Sequence, residues 1–409
     1  MANEKKNDLD SSYFLSEFYC KLSIKGVEIL PQNITVINIR ESIFDLIPLL
    51  DLSFIDDGTF VEKYPLEDGD VISVELARSD LTGVPISMNF ILQDFSIDNK
   101  DGDNAQLVDI SLTGIMKNQE MFAPVKTRSF SNKTSVDVIR TIASECGFEP
   151  VIKITTSDSM VWRQITQSNF TMIKDTMKRA FKSEDAILTG ITRNRQFIIT
   201  SLKTITNNKS KKTASFDAIN AVSDNIKDGE KKEIIYFNNF NIKNIDGMIN
   251  NTIAYGMSYA YYDFEKTTKK KIVSDFHPLT EFSYKNKNNI GKIVNNSSTD
   301  ILNGLNVHKN YFVALAQNEF YNKDFFKNCL IIYINPTDNL NIFDKIDIVF
   351  PSFGDQFSIN QTLSGEYIVG TILHQASKSG HYVMVVTLFR NGMNKSSYMK
   401  ESDYRLNGG

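Results

Sequence analysis

The sequence has few of the residues that build metal centres and disulfide frameworks. Its 409 residues include 3 cysteines, 4 histidines and 1 tryptophan. Cys20, Cys146 and Cys329 stand far apart and form no CxxC spacing, so we expect reduced, structural thiols made in a cytoplasm. No apolar run reaches the ~18 residues that a membrane helix needs, and we therefore expect no membrane span.

The sequence also lacks an excess of charge of either sign. A net charge of −4 gives no general attraction to nucleic acid or to an anionic membrane. Residues 1–12 are polar and charged, without the apolar segment of a secretory signal, so we interpret them as a flexible arm.

Motifs that carry chemistry are incomplete wherever they begin. No histidine opens an HExxH pattern, and His374 with His381 would supply only two ligands, which do not make a zinc site. The acidic loop at residues 98–104 fails the spacing of a calcium loop, and residues 256–260 are one residue short of a nucleophile elbow. We therefore predict no catalytic, cofactor-binding or metal-binding residues, and no enzyme.

The sequence does contain one pattern of strands and turns twice. In residues 67–114 the turn Glu67–Asp70 leads into a strand and then a hairpin, and residues 343–390 repeat that order after Phe343-Asp344. Apolar and polar residues alternate along each strand, as in half-buried sheets. We predict that both stretches fold as the same β-meander, and that Gly365, at the entry to its strand, supplies a positive φ angle or a close backbone approach.

The remaining patterns divide the chain, which is too long for a single core. Helical spacing at 132–146 and 170–181, followed by two strands, predicts a small α+β domain. An Asn/Lys-rich run at 284–300 is expected to be exposed and to be cut early by proteases. The predicted domains are a flexible arm at 1–12, a first β-barrel at 13–125, the α+β domain at 126–203, an exposed connector at 204–232, a second β-barrel at 233–393 with an insertion at about 265–325, and a C-terminal tail at 394–409.

The order of these features resembles the baseplate hub proteins of contractile-tailed phages. It is also similar to the hub portion of type VI secretion spike proteins. The resemblance runs from about Phe18 to Met393. It is carried by the closing hairpin at 364–374 and 382–390, by the middle-domain segments 134–147 and 167–181, and by the segment from Ile43-Phe44-Asp45 to Gly69-Asp70.

The resemblance implies a mainly β fold with an α+β part. Two tail-tube-like antiparallel β-barrel domains would be joined by the small α+β domain, with an insertion in the second barrel. Three copies would form a homotrimeric ring with pseudo-sixfold barrels, bound to the tail tube protein, the central spike protein and other baseplate proteins. Phage DNA would pass through the lumen without specific binding, and the protein would lie in the virion tail baseplate after assembly in the host cytoplasm.

Two alternatives stay open at this stage. The chain ends soon after the closing hairpin, so we expect the spike and any cell-wall hydrolase to be separate chains. A tail-associated cell-wall-degrading enzyme would instead need an acid pair, a nucleophile–histidine pair or a metal site. A non-contractile tail-tip protein could use the same barrels.

Overall fold

In the part of the chain that the structure describes, the strands form one large sheet of 14 strands and three small sheets. The computed structural model describes residues 14–15, 18–80, 85–99, 107–210, 212–216, 233–244, 258–263, 268–273, 300–302, 307–308, 310–326, 328–337, 339–351, 359–360, 362–379 and 381–390.

The N-terminal part of the large sheet is the first β unit. Its elements are β1 (Phe14–Leu15), β2 (Phe18–Ile24), β3 (Val27–Ile29), a short 3-10 helix (Pro31–Asn33), β4 (Ile34–Ser42), β5 (Leu49–Asp56), α1 (Thr59–Lys63), β6 (Val71–Arg78), β7 (Ile86–Asn99), β8 (Val108–Met116) and α2 (Gln119–Phe122). Six strands pair antiparallel in the order β2-β6-β7-β8-β5-β4. Alternate side chains enter the core, as the period-2 patterns predict.

The middle domain places two helices against a small sheet. Its elements are β9 (Lys126–Lys133), α3 (Ser135–Glu145), β10 (Glu149–Ile152), β11 (Met160–Gln167), α4 (Asn169–Arg179), β12 (Ile187–Ile191), β13 (Gln196–Ser201) and α5 (Leu202–Asn207). Thr134 caps α3 in a capping box, and Gly147 follows the helix with a φ of 72°. Ser168 caps α4. The two helices predicted from sequence are confirmed.

The C-terminal part of the large sheet is the second β unit, interrupted by an insertion. The elements are β14 (Lys212–Phe216), β15 (Glu233–Asn244), β16 (Ser258–Asp263), β17 (Thr268–Val273), β18 (Asp300–Leu302), α6 (Tyr311–Phe325), β19 (Asn328–Ile334), β20 (Lys345–Val349), β21 (Gly365–Ser377) and β22 (Tyr382–Arg390). Six of them pair in the order β14-β20-β21-β22-β19-β15, and β15 returns to β14, so this unit is a closed barrel. The predicted fold class is confirmed, although β14 runs parallel to both of its neighbours.

The prediction of an exposed connector at 204–232 is wrong for its first part. Residues 204–207 complete helix α5, and β14 is a barrel strand whose central residues Thr213, Ala214 and Ser215 are buried. The small side chains of β14 suit a barrel interior already filled by large residues of the neighbouring strands. Residues 217–232 lie outside the described part of the chain.

The insertion contributes a separate sheet and one helix. Strands β16, β17 and β18 form a three-stranded sheet, and α6 is a helix of 15 residues. Gln317 of α6 donates hydrogen bonds from Nε2 to the carbonyls of Lys182 and Asp185, at 2.6 and 2.7 Å. Helix α6 therefore docks on the end of the middle domain. The Asn/Lys-rich run at 284–299 lies outside the described residues.

The two β units have the same strand order. Matching β2, β4, β5, β6, β7 and β8 to β14, β15, β19, β20, β21 and β22 reproduces the order of neighbours in the first unit. One direction differs, because β2 runs antiparallel to β6 whereas β14 runs parallel to β20. The meanders predicted at 67–114 and 343–390 have the same antiparallel connectivity, β6-β7-β8 and β20-β21-β22. This part of the sequence prediction is confirmed.

Irregularities repeat along with the strands. The β7–β8 ladder skips Gln93, and the β21–β22 ladder skips Gly370 at the matching place. The β4–β5 ladder skips Thr35, and the β15–β19 ladder skips Asn238. Because a β-bulge bends its strand and resets the pairing, four matching bulges indicate two copies of one backbone design.

The turn before the meander is also duplicated in detail. Asp70 Oδ2 accepts the Glu67 amide at 2.8 Å, and Asp344 Oδ2 accepts the Asn341 amide at 2.9 Å. A lysine ammonium pairs with the same carboxylate oxygen in each turn, Lys25 with Asp70 at 3.2 Å and Lys212 with Asp344 at 2.8 Å. The repeat thus extends from strand order to side-chain contacts.

Candidate assembly site at the junction of the β units

The two β units meet where β4 pairs with β21. Before its bulge at Gly370, β21 pairs with β20, and after the bulge it pairs with β4 from Thr371↔Ser42 to Ser377↔Val36. The Ile43 amide donates to the Gly370 carbonyl at 2.9 Å. The N-terminal part of the thirteen-residue strand β21 therefore pairs within its own barrel, and its C-terminal part also pairs with the first β unit.

Gly370 makes this change of partner possible. A Cβ atom at this position would lie 2.4 Å from the ring of Phe389 on β22, closer than real contacts allow. Glycine inside a strand commonly marks a bulge or a close approach of another group. The aromatic ring of Phe389 fills the space that a side chain at 370 would need.

A buried ionic cluster lies directly beside the junction. Glu41 of β4 is fully buried, and its two carboxylate oxygens accept hydrogen bonds from Arg193, at 2.7 Å from the backbone amide and at 2.8 Å from the guanidinium. The guanidinium also donates to the Leu340 carbonyl at 3.2 Å. His374 of β21 places Nε2 at 3.8 Å from Glu41, and its Nδ1 hydrogen-bonds the Tyr382 hydroxyl at 3.0 Å.

The charge states in this cluster follow from burial and pairing. Burial favours a neutral Glu41, but the proximity of His374 and Arg193 outweighs it and lowers the pKa of the carboxyl. Burial lowers the pKa of His374 despite the nearby carboxylate, so the imidazole is neutral at pH 7. Glu41 and Arg193 therefore form the charged pair, and His374 adds a hydrogen bond to Tyr382.

The cluster joins three parts of the chain. Glu41 belongs to the first β unit and His374 to the second, whereas Arg193 lies in the turn between β12 and β13 of the middle domain. The Ile191 amide adds a hydrogen bond to the Leu46 carbonyl at 2.8 Å. Because the buried carboxylate of Glu41 needs Arg193 within hydrogen-bond distance, this cluster fixes the relative position of the three parts.

The order Glu41, His374, Tyr382 looks like a chain of hydrogen-bonding groups for proton transfer. All three side chains are buried beneath the sheet, and burial raises the pKa of the Tyr382 phenol. A reacting group must reach its substrate within hydrogen-bond distance. Because Glu41, His374 and Tyr382 are buried away from any substrate, their arrangement supports a structural role at the junction.

An open cleft lies near the same turn. It is lined by residues of β7, by the segment around α2 and by residues 193–195, with Glu120 as the one acid in that lining. Burial raises the pKa of the Cys146 thiol, which also lines the cleft. A glycosidase needs two carboxyl groups and a cysteine nucleophile needs a thiolate, and this lining offers neither.

The three histidines that the structure describes do not come together. His374 lies opposite Met384, and the carbonyl of His381 instead accepts the Ser377 amide. His308 is buried with Nε2 at 3.0 Å from the Arg179 carbonyl. His277 lies outside the described residues. Within the described ranges, no group of three His, Cys, Asp or Glu residues could hold a metal ion.

Sequence reasoning missed Glu41 and Arg193 as a pair. They stand 152 residues apart, and Arg193 lies in a hairpin turn, where an arginine does not indicate a buried partner. The one available signal was a glutamate that continues the buried alternation of Ile37 and Ile39. A carboxylate at a core position of a strand predicts a buried cationic partner, without identifying it.

Comparison with known proteins finds the same fold in phage tails. The structure aligns with the 43-kDa tail protein of prophage MuSo2 from Shewanella oneidensis with a TM-score of 0.54 and 10% identity, covering 92% of this chain and 100% of that chain. It aligns with a tail protein from Neisseria meningitidis MC58 with a TM-score of 0.53 and 9% identity, covering 92% of this chain and 98% of that chain. No model of a known protein family matches the sequence. No curated protein matches it significantly.

The fold is thus that of phage tail proteins over almost the whole chain. The resemblance predicted from sequence is confirmed at the level of the fold, which this chain shares with these two tail proteins. In the part of the chain that the structure describes, no helix is both long and apolar enough to cross a membrane.

Proposed function

We propose that this protein is a structural baseplate hub of a phage tail. Three copies would form a ring of six β units that joins a hexameric tail tube to a trimeric central spike and surrounds the genome channel. The carrying observation is the duplication of the β unit, with matching strand order, bulges and turn. The fold of two solved phage tail proteins supports the same role.

The duplication gives a physical reason for this role. A tube with sixfold symmetry and a spike with threefold symmetry cannot share identical contacts through a ring of three single-unit subunits. A chain with two similar β units presents six similar contacts on one face and three identical middle domains on the other. The domain division predicted from sequence belongs to this proposal, with a first barrel at 13–125 and a second barrel at 233–393 to which the structure adds strand β14.

The partners follow from the same proposal. The tail tube protein would bind the ring of β units, and the central spike and other baseplate proteins would bind its opposite side. DNA would pass through the lumen without specific binding, consistent with a net charge of −4. The protein would lie in the virion baseplate after assembly in the host cytoplasm, and it would carry out no catalysis.

The test is a mass measurement combined with images of the particle. We expect a mass three times that of the 46.4-kDa chain, and averaged electron micrographs that show six similar densities with threefold symmetry. A zymogram on purified cell wall tests the enzymatic alternative, and we expect no clearing. A chain that stays monomeric with tube and spike proteins present, or that clears the cell wall, contradicts the proposal.

A further inference from the structure

Strand β7 has a half that no described strand covers on one side. Residues 86–91 pair with β6 and residues 90–99 pair with β8, so that beyond the bulge at Gln93 the described pairing is with β8 alone. Residues 93–98 are all exposed, and Phe95 and Ile97 each retain 39% of their accessible surface. Two large apolar side chains on an open sheet edge are unusual, because such an edge invites pairing with another chain.

The second β unit indicates what covers such an edge. Aligned through the bulges, Phe95 corresponds to Ile372 of β21, and Ile97 corresponds to His374. These two residues are 0% and 2% exposed, because β4 of the other unit pairs with β21 there. The same strand half is therefore covered in one unit and open in the other.

The strand that corresponds to β4 is β15. After its own bulge, β15 pairs with β19 from Asn239 to Asn244, and no strand in the described part of the chain pairs with its opposite edge. Asn239, Asn241 and Lys243 are exposed there. One chain thus has a covered junction, β4 with β21, and the two unpaired halves of a second junction of the same kind.

We propose that β15 of a second copy of this chain pairs antiparallel with residues 94–98 of β7, in the register of the internal junction. This inference rests on the proposed ring and specifies how its subunits join. Leu373 lies opposite Arg40 in the internal junction. When the two units are aligned at their matching bulges, Leu373 corresponds to Ser96 and Arg40 corresponds to Lys243, so Ser96 and Lys243 would lie opposite each other. The neighbouring pair, His374 and Ile39, becomes Ile97 and Ile242.

Side chains on both faces suit this pairing. Ile97 would cover Ile242, which is half-buried in the second unit, so that apolar surface of both copies leaves water. On the other face, Lys243 would lie between Asp94 and Asp98, which flank Ser96 on β7, within diagonal reach of both carboxylates. The contact joins different surfaces of the two copies, so each copy keeps one edge for the next, and the chain of contacts can close into a ring.

The test is a cysteine pair placed across the proposed contact. In the double variant Ser96→Cys/Lys243→Cys, the two thiols would lie opposite each other at a position where antiparallel strands hold their side chains close. The native cysteines, Cys20, Cys146 and Cys329, are buried and leave the background low. We expect oxidation of the full-length protein to give covalent trimers, and a mixture of the two single variants to give covalent dimers.

The control pair Ser96→Cys/Asn239→Cys moves one thiol four residues along β15, roughly 13 Å from its partner, and should stay uncross-linked. A trimer in which Ser96→Cys/Lys243→Cys fails to cross-link overturns this contact and leaves the ring intact. A protein that does not self-associate at any concentration overturns both. Covalent products that grow beyond the trimer support the contact and contradict closure at three copies.

Discussion

Glu41 and Arg193 decide how strongly the three parts of the chain are held together. The pair is almost fully buried, with side-chain exposures of 0% and 5%. Removing one partner of such a pair leaves a charge in a medium that solvates it poorly. The pair therefore acts as a condition for correct docking, more than as a net source of stability.

The first prediction concerns this pair. Arg193→Met should lower the free energy of unfolding by ~3–5 kcal/mol, because Glu41 stays buried without its cation. Glu41→Gln/Arg193→Met should cost less than the sum of the single changes, because no charge remains unpaired. Denaturant titration measures both values. Arg140→Met is the control, because Arg140 pairs with Asp137 near the surface and its loss should cost ~1 kcal/mol or less. Equal losses for Arg193→Met and Arg140→Met would contradict this interpretation.

A second prediction follows from the buried histidines. Burial lowers the pKa of His374 and of His308 below the ordinary value of 6.5. The unfolded chain therefore binds more protons, so stability is lost as the pH falls from about 6.5 through the folded pKa values. Each histidine lowers the free energy of unfolding by at most ~1.4 kcal/mol for each unit by which the pH falls. His374→Gln should flatten the fall between pH 7.5 and pH 5, measured by denaturant titration, with the exposed His381→Gln as the substitution control. If the free energy of unfolding of His374→Gln falls with pH as steeply as that of the wild type, this prediction is wrong.

A third prediction concerns the entry to β21. Gly365 has a positive φ angle of 127°, one of the two reasons expected for a glycine here, in a region that other residues rarely adopt. Gly365→Val should therefore lower stability by ~1–3 kcal/mol through backbone strain. The damage should appear in the melting temperature and in the oligomer mass. Glu366→Val is the matched control at the next position, where the side chain is exposed. Wild-type values for Gly365→Val would show that this turn is not constrained.

At the scale of elements, sequence patterns predict local structure well and long-range docking poorly. The strands of the two meanders and helices α3 and α4 carry complete signals, because alternation, caps and a terminal glycine all act within a few residues. Strand β14 escaped detection because Lys212–Phe216 is short and its centre has only small side chains. Its partners β15 and β20 are distant in sequence, and no local pattern specifies a parallel pairing of this kind.

The fourth prediction concerns the docking of α6. Gln317 is buried and satisfies two carbonyl groups at the end of the middle domain. Gln317→Leu leaves both carbonyls without this donor and should cost ~1–3 kcal/mol. Hydrogen exchange should then rise selectively in α6 and residues 180–186. Gln119→Leu, at an exposed position of α2, is the control. Exchange that is unchanged in α6 would show that its other contacts, the hydrogen bonds of Asn318 and the packing of Tyr321 and Phe325, hold the helix without Gln317.

At the scale of the whole molecule, the proposed ring needs six junctions from three chains. Three would be the internal contact of β4 with β21, and three would be the contact of β15 with β7 of the next copy. Hydrogen bonds at the two ends of the internal junction show to which side each backbone amide of β21 points. The Gly370 carbonyl and the Lys378 amide bond to the β4 side, and the Ser377 amide bonds to the β22 side. Alternation along the strand then directs the amide of His374 toward β4.

The correspondence of His374 with Ile97 gives the last prediction. The Ile97 amide should point to the open edge of β7, and the Ser96 amide should point to β8. Proline removes an amide donor and is tolerated in a strand only where that donor faces outward. Ile97→Pro should therefore fold with a melting temperature near that of the wild type but fail to form trimers, whereas Ser96→Pro should melt earlier because it removes a hydrogen bond of the β7–β8 ladder. Thermal melting and native mass separate the two effects. Trimers of Ile97→Pro, at the wild-type concentration dependence, would show that the subunits join at a different edge.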